Sequence, residues 1–231
     1  MRNAARVLIE HCTRRINNLI RNIAMKNTIF ILCLLFFCTT LLAQSFEGEI
    51  DYSNSYKSKI PGLADERMTV LLGTKQEYFI SGGNYKSIVN GQAYVMQLYD
   101  YKTNRLYNKT PKSDTLYWLD ASVNTDSVFS YEIKKNAVTI LGYQCDEMIL
   151  YTKAGTTTFY FTAKLALESE KYKNHNYGNW SFFATRSNSL PLKILIESDQ
   201  FIMESTAIEV KPLKLNKEYF AIDSKTPIKR P

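Results

Sequence analysis

Short β-strand candidates follow one another along the chain beyond residue 45, and this succession restricts the possible folds more than any other feature. The candidates are rich in Tyr, Phe, Ile, Val and Thr, and short polar turns separate them. They cover residues 46–53, 67–72, 76–81, 84–90, 92–101, 104–108, 114–119, 143–152, 156–162, 192–198 and 201–210, with a further candidate at 217–222. The pattern predicts a mainly β protein.

Glycine and asparagine mark three turns between neighbouring candidates. They lie at Ser81–Asn84, at Asn90-Gly91 and at Lys153–Gly155. Both residue types adopt positive φ at little cost, which tight hairpin turns require. The turns therefore predict that neighbouring strands run antiparallel.

Several candidates carry apolar side chains on both faces. In 92–101, for example, Met96 and Leu98 share one face while Val95 and Tyr99 share the other. A flat sheet with one solvated face would show polar residues at every second position instead. We therefore expect a strongly curved antiparallel sheet, an open half-barrel, with one or two short helices covering its concave face.

The segment 164–190 departs from the strand pattern and is followed by Pro191. It predicts a long connection with one or two short helices. Connections of this length inside a compact domain are often lids or other functional segments, but an ordinary packed crossover has the same appearance. The sequence leaves both interpretations open.

An apolar run from Ile29 to Cys38 follows Met25 and Lys26 and leads to Ala43. This arrangement is typical of a secretory signal peptide, predicted over 25–43 with cleavage after Ala43. The run is shorter than the 18 or so residues that a membrane-spanning helix requires. The protein is therefore expected in the periplasm, near a membrane but not spanning it.

Two interpretations fit the arginine-rich segment 1–24. A complete signal peptide begins at Met25, which favours a miscalled start codon upstream, whereas the composition also resembles an organelle transit peptide. We expect the remaining chain, 44–231, to form a single β-rich domain, since its length suffices for one core.

The excess of basic residues comes mostly from the N-terminal segment. Lys and Arg number 29 and Asp and Glu 22, but six of the basic residues and one of the acidic residues precede Ser45. The rest of the chain therefore carries a net formal charge of about +2. No basic stripe remains to indicate nucleic-acid binding.

Cys145 is the one cysteine beyond residue 44, so no disulfide can form within that part of the chain. An unpaired cysteine in a strand usually behaves as a small buried hydrophobe, and this is the favoured interpretation. A nucleophilic thiol would require a nearby base, for which His175 is the candidate. No metal or cofactor motif occurs, and adjacent carboxylates in a strand point to opposite faces.

The aromatic residues are the candidate binding residues. Trp118, Phe159, Phe161 and Trp180 could line an apolar pocket, or they could fill the interior of a small barrel. Both possibilities stay open on the sequence alone. The four residues are our prediction for a ligand-binding cavity.

The second half of the chain resembles a known family. The segments are GYQCDEMILYT from Gly142, TTTFYFTAKL from Thr156, LPLKILIE from Leu190, FIMESTAIEV from Phe201 and YFAID from Tyr219. They resemble exported envelope proteins of Gram-negative bacteria that are similar in fold to the periplasmic lipoprotein carriers and their outer-membrane receptor, the LolA/LolB type. The resemblance implies an open β half-barrel whose concave, apolar face shields lipid chains, and it brings no catalytic residue. The chain departs from the carriers in showing no long helix that would plug the cavity.

Three functions follow, in order of preference. The first is a non-enzymatic periplasmic carrier-like module for an apolar or lipidic ligand, or for an acylated protein. The second is a structural or assembly factor of the envelope that binds a partner chain at a sheet edge. The third is a thiol hydrolase that uses Cys145 and His175. None of the three calls for a cofactor.

Overall fold

Twelve strands form one sheet in the computed structural model, which describes residues 45–230 and the isolated residue Arg21. Ser45–Pro231 makes one compact unit of the chain. The predictions for the extension 1–24 and the signal peptide 25–43 lie outside the described residues, apart from Arg21. The fold class predicted from the sequence, mainly β with a curved open sheet, is confirmed.

The elements follow the chain in a simple order. The strands are β1 (Gly48–Ser58), β2 (Lys75–Ser81), β3 (Asn84–Val89), β4 (Met96–Asp100), β5 (Arg105–Lys109), β6 (Leu116–Asp120), β7 (Val128–Ile140), β8 (Tyr143–Thr152), β9 (Gly155–Ala166), β10 (Ser189–Ser198), β11 (Phe201–Pro212) and β12 (Ile228–Lys229). The helices are α1 (Asp65–Leu72) and α2 (Trp180–Ser187), with short 3-10 turns at Ser169–Tyr172, Tyr177–Asn179 and Lys217–Phe220.

The sheet consists of two meanders joined through their first and last strands. Its order is β12-β6-β5-β4-β3-β2-β1-β11-β10-β9-β8-β7, and every pair is antiparallel except β12 with β6. Short turns or loops connect consecutive strands within each meander, except that α1 lies between β1 and β2 and the segment 167–188, which contains α2, lies between β9 and β10. The Gly82-Gly83 turn between β2 and β3 has φ of 58° and 95°, as the sequence predicted for a hairpin.

The connection between β6 and β7 requires the sheet to curl. These strands lie ten places apart in the sheet, which is ~48 Å at the usual spacing of flat neighbouring strands. The connection 121–127 can span no more than ~28 Å when fully extended. The two ends of the sheet must therefore bend toward each other, which creates a concave face.

Both faces of the sheet are covered, which explains why several strands are apolar on both sides. On the concave side, α2 packs on β8 and β9 through a cluster that contains Met148, Phe159, Phe161 and Phe183. On the opposite side of the sheet, a second apolar cluster packs Phe220 of the C-terminal segment against strands β2 to β6. Its buried residues are Phe79, Leu98, Tyr107, Leu116 and Phe220.

The strand predicted at 67–72 is wrong, because these residues form helix α1. Asp65 and Glu66 lie in its first turn, where negative charge stabilises a helix, and Gly73 ends it with φ of 86°. Met68 is buried, whereas Val70 is exposed. The apparent alternation of apolar residues was too short to distinguish a strand from a single amphipathic turn.

Two further differences concern the ends of the second meander. The candidate strand at 217–222 is the 3-10 turn Lys217–Phe220, in which the side chain of Asn216 accepts a hydrogen bond from Glu218 N. Strand β7 was not predicted, because the polar stretch 134–136 interrupts its apolar alternation. That stretch coincides with a shift in the register between β7 and β8.

Candidate functional site

A row of uncharged polar side chains crosses the concave face of the first meander. Tyr78 of β2 lies opposite Ser87 of β3, and Ser87 lies opposite Gln97 of β4. Residues that face each other across antiparallel strands point to the same side of the sheet. The register therefore places Tyr78, Ser87 and Gln97 side by side on one wall. Gln76 and Tyr94 line the same cavity beside them, and we call these five side chains the polar wall.

The second meander supplies an apolar wall to the same concave face. Phe159 of β9 lies opposite Ile194 of β10. Two residues further along, on the same face, Thr157 lies opposite Ile196. Ile196 in turn lies opposite Met203 of β11. Phe159, Ile194, Ile196 and Met203 form what we call the apolar wall.

A cavity of about 420 Å³ lies between the polar wall and the apolar wall. Tyr52 of β1 and Ser205 of β11 contribute to its floor, where the two meanders meet. The volume is within the usual range of ligand pockets, about 300–1,000 Å³. The cavity is therefore large enough for a small apolar molecule or part of a lipid chain.

One end of the cavity is covered by the segment that precedes α2. His175, Tyr177, Gly178, Asn179 and Trp180 line the cavity from this side. Gly178 and Asn179 both adopt left-handed backbone conformations, with φ of 61° and 58°. These two residues turn the chain from the 3-10 segment into α2, so that Trp180 enters the cavity wall.

Hydrogen bonds fasten this cover to the connection between β6 and β7. The carbonyl of Ala121 accepts hydrogen bonds from Asn176 N and Tyr177 N, at 2.7 and 2.9 Å. Asn179 Nδ2 donates to Asp126 Oδ2 at 3.1 Å, and Asn179 Oδ1 accepts from Asn124 Nδ2 at 2.7 Å. The connection that forces the sheet to curl thus also positions the cover.

His175 is a buried titratable group at the covered end. It is 1% exposed, and a hydrogen bond of 2.8 Å joins its Nε2 to Tyr85 Oη. The rings of Tyr85 and Tyr99 pack against the imidazole, with centroids 5.8 and 4.3 Å away. Burial lowers the pKa of His175 to about 4, so that the side chain is neutral at pH 7.

We expect this depressed pKa to make the protein less stable in mild acid. The pKa of an unfolded histidine is near 6.5, so below that pH the unfolded chain binds a proton that the folded chain does not. The stability that the folded protein retains by keeping His175 neutral is complete above pH 6.5 and is lost as the pH falls toward 4. Between pH 7.5 and 5.0 the free energy of unfolding should fall by about 2 kcal/mol.

Urea titrations at several pH values test this expectation. The range above pH 5 separates the histidine from most carboxylate titration. The variant His175→Asn should be less stable at pH 7.5 but should lose most of the pH dependence between 7.5 and 5.0. An unchanged slope in this variant would assign the pH dependence to other groups.

Two of the four residues predicted to line a cavity lie at this one. Phe159 and Trp180 both line it. Phe161 shares the face of Phe159, but its ring packs edge-on against Phe183 with the centroids 5.6 Å apart. Phe161 therefore lies beneath α2, not at the cavity surface, and the two phenylalanines are not equivalent.

Trp118 lies at a different place, near the other end of the sheet. It lines a depression of about 370 Å³ together with Asp120, Tyr177 and Arg230. Its ring receives two guanidinium groups, from Arg105 at 4.0 Å and from Arg230 at 5.3 Å. The structure therefore does not bring Trp118 to the concave cavity.

Cys145 and His175 have different hydrogen-bond partners. Cys145 is fully buried, and its Sγ donates to the carbonyl of Tyr143 at 3.4 Å. Burial raises the pKa of the thiol, and the negative charge of Asp146 acts in the same direction. His175 Nε2 is bonded to Tyr85 instead. Among the described residues, Cys145 Sγ therefore has no hydrogen bond to a base, which supports the interpretation of Cys145 as a core residue.

We expect Cys145 to resist a polar thiol reagent in the folded protein and to react once the protein is denatured. The substitution Cys145→Ser should lower the free energy of unfolding by about 1–3 kcal/mol, because a hydroxyl is costlier to bury than a thiol. Reaction with iodoacetamide with and without guanidinium, read at Cys145 by peptide mass spectrometry because the chain also contains Cys12, Cys33 and Cys38, checks the first part. Rapid labelling of Cys145 in the folded protein would contradict it.

The sequence did not reveal the polar wall. Tyr78, Ser87 and Gln97 belong to short strands in which polar and apolar side chains are mixed on the same face. Their common direction depends on the register of three strands, which hairpin turns fix only when all strand ends are known. The two glycine-containing turns on either side of β3, at Ser81–Asn84 and at Asn90-Gly91, were the signal that could have identified these residues.

Comparisons with known proteins give limited information beyond this geometry. No protein-family model matches the chain, and no curated protein sequence matches it. Among solved structures, the chain is similar to the crystal structure of a LolA superfamily protein from Nitrosomonas europaea. The identity is 10%, the TM-score is 0.37, and the match covers 78% of this chain and 92% of the other. The fold class stated above depends on the sheet itself.

Two further findings concern the described residues. None of the described helices is long and apolar enough to cross a membrane. Within the same residues, no group of three or more His, Cys, Asp or Glu side chains is arranged to hold a metal ion.

Proposed function

We propose that the chain is a carrier-like binding module that holds an apolar or lipidic ligand, or the acyl group of a protein, in the concave cavity. The observation that carries the proposal is the cavity of about 420 Å³ between the apolar wall and the polar wall. Four large apolar side chains line one wall, so an acyl chain placed there would be removed from water. The module acts by binding, without catalysis.

The exported location belongs to the same proposal. It depends on the predicted signal peptide at 25–43 and on the resemblance of the second half of the chain to envelope proteins. A module of this kind would act in the periplasm, where a lipid in transit between membranes must be shielded from water. Detection of the chain in a periplasmic fraction, shortened to begin after Ala43, is the expected result.

Binding of an uncharged naphthylamine dye tests the proposal. The variant Trp118→Phe leaves Trp180 as the one tryptophan of the chain, and Trp180 lines the cavity. We expect the dye to bind this variant and the wild type at one site with micromolar affinity and to quench Trp180. Absence of dye binding to the folded protein would contradict the carrier-like function.

A second candidate function is favoured by strand β7. This strand forms one end of the sheet and exposes several apolar side chains. They are Phe129, Tyr131, Ile133 and Val138, exposed by 72%, 44%, 42% and 37%. An edge strand can pair through its backbone with a strand of another chain, and its exposed apolar side chains would then be covered, as in an envelope assembly factor. Loss of a cross-linked partner in Phe129→Asp, with dye binding unchanged, would favour this function.

A further inference from the structure

The described residues bring no positive charge to the concave cavity at pH 7. Among the described residues that line it, none is Lys or Arg. His175, the one basic side chain there, is neutral at pH 7 because burial lowers its pKa to about 4. An anion bound between the two walls would therefore lose part of its hydration without gaining an opposite charge, which is costly.

The one acidic residue at the cavity is already engaged by the protein. Asp126 Oδ1 accepts a hydrogen bond from Ala154 N at 2.9 Å, and Oδ2 accepts one from Asn179 Nδ2 at 3.1 Å. A cationic head group would have to share these oxygens with Ala154 of the β8–β9 turn and with Asn179 of the cover segment. The negative charge of Asp126 would in addition repel a bound anion.

The polar wall supplies hydrogen-bonding groups without formal charge. Gln76, Ser87, Tyr94 and Gln97 bring amide and hydroxyl groups to the cavity, opposite the apolar wall. Such groups can donate to ester and hydroxyl oxygens and can accept from hydroxyl groups. The two walls together match a molecule with an apolar chain and an uncharged, oxygen-bearing head.

On these grounds we propose that the cavity selects lipids with an uncharged ester or hydroxyl head group, of the kind found in a monoacylglycerol, over lipid anions such as fatty acids. The apolar wall would receive the chain, and Gln76, Ser87 and Gln97 would hydrogen-bond to the head. This inference depends on the proposed carrier-like function and adds the chemical class of the ligand.

Three ligands with the same dodecyl-length chain test the inference. They are monododecanoylglycerol, dodecanoate and dodecyltrimethylammonium, each used below its critical micelle concentration at pH 7.5 in competition with the naphthylamine dye. We expect the glycerol ester to bind at least about tenfold more tightly than dodecanoate, because the two differ in the charge of the head. It should also bind more tightly than the ammonium compound.

Each alternative result has a distinct meaning. Equal or tighter binding of dodecanoate would overturn the selectivity while leaving the carrier-like function in place. Tighter binding of the ammonium compound would also overturn it and would assign the head-group contact to the aromatic rings and Asp126. Failure of all three ligands and of the dye would remove the carrier-like function itself.

A charge introduced into the polar wall provides the complementary test. Gln76 lines the cavity, whereas Gln200 is exposed in the turn between β10 and β11. Gln76→Lys should strengthen the binding of dodecanoate by about tenfold or more, because it supplies the missing counter-charge. Gln200→Lys adds the same net charge elsewhere and should leave all three affinities unchanged. A gain in both variants would indicate a general charge effect and would overturn the inference.

Discussion

Replacing Ile196 by Glu should weaken the binding of an uncharged apolar ligand by at least about a hundredfold. Ile196 lies on the apolar wall, opposite Thr157 and Met203, and its side chain lines the cavity. A carboxylate at this place would remain hydrated at the expense of the ligand, or would be buried without a counter-charge. Both outcomes oppose the entry of an acyl chain.

Two control variants separate this effect from a general loss of structure. Ile208 lies on the neighbouring strand β11 and is 57% exposed, so Ile208→Glu should bind the dye as the wild type does. Ile196→Gln has nearly the same shape as Ile196→Glu without the charge and should bind with intermediate affinity. Thermal unfolding of each variant confirms that it is folded before dye binding is measured.

The pattern among these variants decides between the open and the filled interior. If Ile196→Glu and Ile208→Glu bind the dye equally well, the dye does not occupy the concave cavity, and the apolar wall is a packed core. If only Ile196→Glu loses binding, the cavity is the binding site. The sequence had left these two possibilities open for Phe159 and Trp180, which line the same cavity.

The sequence predicted the fold class well because its evidence was local. Glycine-containing turns and alternating β-branched and aromatic residues identify most hairpins without knowledge of distant contacts. Segment 67–72 shows the limit of this evidence: six residues fit both a strand and a helix. The acidic residues that precede this segment and Gly73 that follows it are the local signals of a helix.

The candidate site was only partly predictable, because it depends on contacts between distant segments. Phe159 and Trp180 are 21 positions apart in the sequence, and both rings pack on Phe183 after the chain has turned at Gly178 and Asn179. Aromatic content alone could not separate these residues from Trp118, which packs between two arginines. Register and crossover connections determine which aromatic residues share a cavity, and a single sequence does not show them.

The helix over the concave face depends on one buried ring, that of Phe183. Phe183 of α2 is fully buried and stacks on Phe159 with the centroids 4.1 Å apart. It also contacts Phe161 and Trp180, at 5.6 and 5.5 Å. Aromatic pairs of this kind contribute beyond the area that they bury. Phe183 therefore links the helix, the apolar wall and the covered end of the cavity.

Phe183→Ala should lower the free energy of unfolding by about 3–5 kcal/mol, the usual cost of removing a buried aromatic ring. Stabilities of small domains are about 5–15 kcal/mol, so this is a large part of the total. Phe129→Ala removes the same atoms from a side chain that is 72% exposed, and it should change the stability by no more than about 0.5 kcal/mol. Urea unfolding of both variants measures the difference.

A small effect of Phe183→Ala would mean that α2 separates from the sheet at little cost and so acts as a movable lid. In that case hydrogen exchange in Trp180–Ser187 should be as fast in the wild type as in the variant, because the helix would already open in the native protein.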